Sequence, residues 1–193
     1  MTSRTDEGHG VRSAQERLLW VLRRWPTALG LATGAFIVSD MSDGTEAALV
    51  LVVAALAYLA TAVLERQGLI WAVVAAEMVV VVVLQSLDVD PVPVLAVAAV
   101  VLALVGAVRR RWGPSRFETL YPWLTGLFLV AGLVGAYASP VLAGVVVGVA
   151  LIGHAVWDAV HWREDAVVSR PFAEWCGTLD FVLGVGVLVV VLG

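Results

Sequence analysis

The chain has 193 residues, of which 61% are hydrophobic and 15% charged, where soluble domains carry roughly 25% charge. A water-soluble fold of this size has too little interior to hide that much apolar surface, so a bilayer must serve as solvent. All 12 basic residues are Arg, which excludes lysine Schiff-base chemistry, including a retinal imine. Cys176 is the single cysteine, so there is no internal disulfide and no zinc cluster built from several thiolates. The net charge of −4 is modest and by itself says nothing of nucleic acid, which is not among the expected partners.

Residues 1–17 are polar and mixed in charge, and lack a cleavable-signal pattern. They read as a disordered cytoplasmic tail, ahead of one transmembrane helical domain over 18–193. Leu18 to Trp25 is apolar with paired Arg, and it either lies in the interface or begins the first span. Trp25-Pro26 opens an apolar stretch to Ser39, the shortest span, against the roughly 20 residues a crossing needs. Asp40, Asp43 and Glu46 follow in a loop. Six further spans are expected at about 47–64, 68–87, 91–108, 120–138, 140–161 and 172–192. The fold class is therefore an all-α integral membrane protein, a bundle of about seven transmembrane helices.

The arginines fix an orientation. The N-terminal segment and the loops after spans two, four and six hold five, one, four and two Arg, all 12 of the chain. The positive-inside rule places these segments in the cytoplasm of a multi-pass cell-membrane protein and the C-terminus outside. A parallel 3+1+3 repeat is also suggested. At an offset of 96, Trp25-Pro26 and Gly30 align with Tyr121-Pro122 and Gly126, and Tyr58 with His154. Gly30 with Gly34, and Gly144 with Gly148, are spaced for close helix contact.

The chemistry concentrates in the sixth span. His154, Asp158 and His161 are four and three residues apart. At 100° per residue they lie at roughly 0°, 40° and −20°, on one helical stripe. Ionisable side chains are expensive in lipid, so this stripe should face the bundle interior. His154, Asp158 and His161 are candidate ligands of a divalent metal such as zinc. The two histidines are about 10.5 Å apart along the axis, so a metal taking one would need a ligand from another helix. Glu77 in the third span and Asp180 in the seventh are candidate catalytic acids beside Asp158. Cys176 stands one turn before Asp180.

Structural readings compete with these. His161 beside Trp162 suits an interfacial anchor. His154 and Asp158 suit a hydrogen-bonded pair that glues helices. Glu77 could pair with a backbone carbonyl or with Gln85, and Cys176 suits a small apolar filler. The outer acids and the Arg109–Arg111 run suit solvated loops and topology signals. No phosphate loop, nucleophile elbow or H-E-x-x-H is present.

The run His154-x-x-Trp157-Asp158-x-x-His161, followed by Glu174-Trp175-Cys176-x-x-x-Asp180, resembles small uncharacterised bacterial multi-pass membrane proteins. That resemblance covers the last two helices and implies no activity. The chain is also similar in outline to the seven-helix membrane hydrolases related to alkaline ceramidase and the adiponectin receptors. These share its topology and hold zinc with His and Asp, but place paired His in a last helix that here has none. The integral-membrane terpene cyclases, which protonate an isoprenoid with acidic residues, are a second similarity; Glu77 and Asp180 would take those parts. The expected function is an intramembrane metal-dependent or acid–base enzyme acting on a lipid or isoprenoid from the cytoplasmic leaflet. The alternatives are a proton- or ion-coupled transporter and a non-catalytic membrane or haem-binding component.

Overall fold

In the computed structural model, residues 24–41, 45–109 and 120–193 are described. The expected tail over 1–17, the Leu18 to Arg23 stretch, Asp43, and Arg110 and Arg111 lie outside them. Among the described residues there are seven α-helices and no strand. They are α1 (Trp25–Asp40), α2 (Glu46–Leu64), α3 (Ile70–Ser86), α4 (Pro91–Arg109), α5 (Pro122–Tyr137), α6 (Pro140–Glu164) and α7 (Arg170–Leu192), with a 3₁₀ turn at Gln67–Leu69 before α3.

The local reasons are ordinary ones. Proline opens α4, α5 and α6 and stands second in α1 and α7, where its fixed φ suits a first turn and its missing N–H is not needed. Glu65 and Asp165 end α2 and α6 in the left-handed region, at φ 58° and 50°. There each turns its backbone N–H onto a carbonyl of the last turn. Between these ends the segments have little choice. With no water in an apolar solvent, a helix is the structure that satisfies its own backbone. Five stretches, Glu46–Leu64, Gln67–Ser86, Pro91–Arg109, Pro140–Glu164 and Arg170–Leu192, are long and apolar enough to cross a membrane; α5 is apolar but shorter. The protein is thus an all-helical membrane protein by the length and composition of its helices.

The helices form an arc around a central one. In space the order is α1, α7, α6, α5, α4, with α3 following, and α2 runs through the middle, packed on α3, α4, α5, α6 and α7. Nearly every α2 residue is buried, from Ala47 to Val63. By contrast α3 and α4 turn valines such as Val79, Val82, Val97 and Val100 outward, as suits a lipid-facing surface.

Close approach is set by glycine. A Cβ on Gly34 would meet Val182 and the Leu179 carbonyl, at 3.0 and 3.1 Å, so α1 can lie flat on α7 only without one. Gly148 and Gly184 do the same between α6 and α7, where a Cβ on Gly184 would come 2.8 Å from the Gly148 carbonyl.

Polar contacts at the helix ends fall into two groups. At one end Arg24 pairs with Glu174 at 3.2 Å, and Thr27 donates a hydrogen bond to the same carboxylate. At that end, too, Gln67 donates to the Val168 carbonyl and to the Asp165 carboxylate, both at 2.7 Å. The Arg109 guanidinium likewise donates to the Val63 carbonyl at 2.6 Å. At the other end Tyr137 donates to Asp90 at 2.5 Å. The first group ties together the start of α1, the turns after α2 and α6, and the end of α4.

The arc does not close. Its two ends, α1 and α3, do not pack along their length; the rings of Trp25 and Trp71 meet at 5.9 Å near one end. Beyond that contact the gap opens into a cavity.

Candidate functional site

The seam between α6 and α7 carries a cluster of buried polar residues. His154 and Asp158 lie one turn apart on α6, and Cys176 and Asp180 one turn apart on α7. Each helix thus offers an i, i+4 pair to the other. Gly177 lets the pairs meet. A Cβ there would stand 2.9 Å from the Asp158 Cβ and 3.4 Å from its Oδ2, so any side chain would push α7 off the aspartate.

His154 sits at the centre. Its Nδ1 is 2.7 Å from Asp180 Oδ2 and 3.3 Å from Asp158 Oδ2. The Tyr58 hydroxyl, from the central helix, donates to Asp158 Oδ1. The Cys176 thiol donates to Asp180 Oδ2 at 3.6 Å. His154, Asp180 and Tyr58 are wholly buried, and Asp158 and Cys176 nearly so. At 1.5 Å per residue, His154 and Asp180 lie about 15 Å from the nearer ends of their helices.

Aromatic rings enclose the cluster. Phe128 and Trp157 pack on the His154 ring at 4.9 and 5.1 Å, and Tyr58 stands edge-on to it at 5.4 Å. This cage shuts water out and strengthens every charge interaction inside it. It also leaves several polar atoms without a hydrogen-bond partner: His154 Nε2, Asp158 Oδ2 and Asp180 Oδ1.

On the far side of Asp180 lies the cavity in the gap of the arc. It has a volume of about 410 Å³ and is lined from α1, α2, α3 and α7. Its walls are apolar, among them Ile37, Val53, Val74 and Leu179, and Cys176 and Asp180 stand in the wall on the α7 side. Phe172 and Trp175 also line it. Both pack on Trp71, at 5.0 and 5.2 Å, to close the cavity toward the Arg24 end.

The expected site residues divide. His154, Asp158 and Asp180 come together. His161 is on the same stripe and fully buried, but it stands apart from the cluster: its ring packs on Trp157 at 4.6 Å and Tyr58 at 5.3 Å, and both of its nitrogens lack partners. It belongs to the interior, where an interfacial anchor would be half in water. Glu77 is buried on α3 with Oε2 unpartnered, and no described hydrogen bond joins it to the cluster. Its neighbours Val74, Met78 and Val81 line the cavity.

Sequence reasoning gave Tyr58, Trp157 and Gly177 no role in the site, and took Cys176 for filler. A signal existed for Tyr58. It is the one aromatic in α2, about 9 Å from the helix end, where a tyrosine serving as an interfacial anchor would not lie.

His154, Asp158, Cys176 and Asp180 offer ligand atoms that all lie within 4.8 Å of one another. The arrangement can move protons between carboxylates through an imidazole, or hold a cation. No family model, curated protein or solved structure matches this chain.

Proposed function

We propose that this protein is an intramembrane enzyme that acts on a lipid or isoprenoid substrate. The observation that carries the reading is the cavity. A space of about 410 Å³ with apolar walls, opening between α1 and α3, has Asp180 and Cys176 in its wall. Such a space suits a hydrocarbon chain, and its few polar groups suit the reacting end. Asp180 hydrogen-bonds His154, which stands beside Asp158, which accepts from Tyr58. In this reading Asp180 exchanges a proton with the substrate, and His154 and Asp158 restore it. The substrate enters sideways from the bilayer, because the tryptophan cluster covers the Arg24 end.

The orientation follows from the arginines: a multi-pass cell-membrane protein with the N-terminus cytoplasmic and the C-terminus outside. The contacts at helix ends support it. Arg24, Arg109, Gln67 and Asp165 meet at one end, the end to which an alternating seven-span path assigns all 12 Arg.

The test is turnover in proteoliposomes supplied with glycerolipids, sphingolipids and prenyl lipids, wild type beside His154→Ala and Asp180→Asn. Loss of one acid–base partner should lower turnover by about 100-fold or more. No turnover of any of these lipids by the wild type would sink the reading, and wild-type turnover in both variants would remove His154 and Asp180 from the chemistry.

One observation favours a second reading, proton-coupled transport. Glu77 is buried with Oε2 unpartnered, on the helix that forms the opposite wall of the cavity, and lone intramembrane carboxylates mark proton paths. Solute flux that collapses in both Glu77→Gln and Asp180→Asn, without chemical change of the solute, would select it.

A further inference from the structure

We infer that Cys176, His154, Asp158 and Asp180 form a binding site for one divalent cation of the zinc class, clamped between α6 and α7. The inference deepens the enzyme reading and rests on it only for what the ion would do to a substrate.

The first argument is the donor set. One thiol, one imidazole and two carboxylates converge from two helices, with ligand atoms within 4.8 Å of one another. Bonds of about 2.0–2.3 Å to a tetrahedral ion place ligand atoms about 3.3–3.8 Å apart. The 3.3 Å between His154 Nδ1 and Asp158 Oδ2 and the 3.6 Å between Cys176 Sγ and Asp180 Oδ2 already fall in that range. The 2.7 Å between His154 Nδ1 and Asp180 Oδ2 must widen by about 0.6 Å, and ligand atoms out toward 4.8 Å apart must draw in. The mixture of one sulfur, one nitrogen and two oxygens suits zinc better than calcium or magnesium, which take oxygen alone.

The second argument is hydrogen-bond satisfaction. An imidazole Nδ1 carries at most one hydrogen, yet two carboxylate oxygens stand within 3.3 Å of it. The hydrogen goes to Asp180, and Asp158 Oδ2 is left buried without a partner while pointing into the group. Buried polar atoms rarely go unpaired, and an ion is one of the ordinary explanations when they do.

The third argument is charge. Among the described residues every arginine lies at a helix end or in a turn, and the chain has no lysine. Within this cage only His154 among the described residues can offset the two carboxylates. A dication would do so, with release of the thiol proton on binding. The bare Gly177 keeps the space beside Asp158 Oδ2 free of any Cβ.

The ligand set differs from the one suggested by the α6 stripe. Cys176 and Asp180 take the places that His161 would have filled, because α7 faces His154 and Asp158, whereas His161 faces the Tyr58 and Trp157 rings. An ion held this way lies in the cavity wall, since two of its ligands line that wall.

The experiment uses the full chain purified in detergent, stripped with a chelator and titrated with Co²⁺ as probe. The expected result is one cobalt per chain, visible bands of tetrahedral cobalt, and a near-ultraviolet thiolate-to-cobalt band. Cys176→Ser should lose the thiolate band, and His154→Ala should weaken binding by at least about 10-fold. His161→Gln should leave the spectrum as in the wild type. Thermal unfolding of each apo variant shows that it is folded. No cobalt or zinc binding by wild type would overturn the inference, as would a thiolate band that survives in Cys176→Ser. The enzyme reading fails separately. If metal does not bind but turnover falls in His154→Ala, the ion is dismissed and acid–base chemistry stands. If metal binds and turnover is untouched in His154→Ala, the ion is structural and the chemistry assigned to His154 falls.

Discussion

Asp158 and Asp180 share one histidine in the seam between α6 and α7, whereas Glu77 stands on α3 and no described hydrogen bond joins it to that cluster. The difference lies in the helices that carry them. Glycines draw α7 onto α6, so side chains four residues apart on each helix meet their opposites. The peripheral α3 packs along its length on α2 and α4, touches α1 and α7 through Trp71, and turns much of its surface outward. A carboxyl in a tight seam can be built into a network. One on a peripheral helix depends on what enters the cavity beside it or on the bilayer around it. Burial therefore does not by itself make an acid part of a site; the pairing of the helices does.

Substitutions can break or sharpen this contrast. The largest effect is expected where a partner is taken from the seam. Asp158→Leu leaves the Tyr58 hydroxyl buried without an acceptor and removes one of the two carboxylates beside His154. Stability should fall by about 3 kcal/mol, read from denaturant unfolding in detergent; an unchanged midpoint would mean that the network holds nothing together. Gly177→Val should come next. Its side chain must displace Asp158 and spread α6 from α7, at a cost of about 2 kcal/mol. A crosslinking yield between the two helices that stays at the wild-type level would contradict the proposed squeeze. For Glu77→Leu the sign reverses. Removing a buried carboxyl oxygen that has no partner should stabilise the protein by about 1 kcal/mol, and destabilisation would reveal a partner for Glu77. The smallest effect belongs to Arg24→Ala. The Arg24–Glu174 pair is half exposed on the arginine side, at 49%, and such pairs contribute about 0.5 kcal/mol or less.

The sequence alone was enough to place the helices. Expected spans at 91–108 and 172–192 compare with helices at Pro91–Arg109 and Arg170–Leu192. The reason is that each apolar run is bounded by charge or proline, and an apolar solvent permits a run between such limits few structures besides a helix. The fixed 100° step also placed His154, Asp158 and His161 on one face of α6. That step says nothing of how a helix is rotated against its neighbours, and there the tertiary structure decided. It brought Cys176 and Asp180 to His154, set Tyr58 under Asp158, turned His161 into the aromatic rings and kept Glu77 apart on α3. Those outcomes depend on which small residues let which helices approach. Close approach belongs to a pair of surfaces, and a chain read one residue at a time holds only one of them.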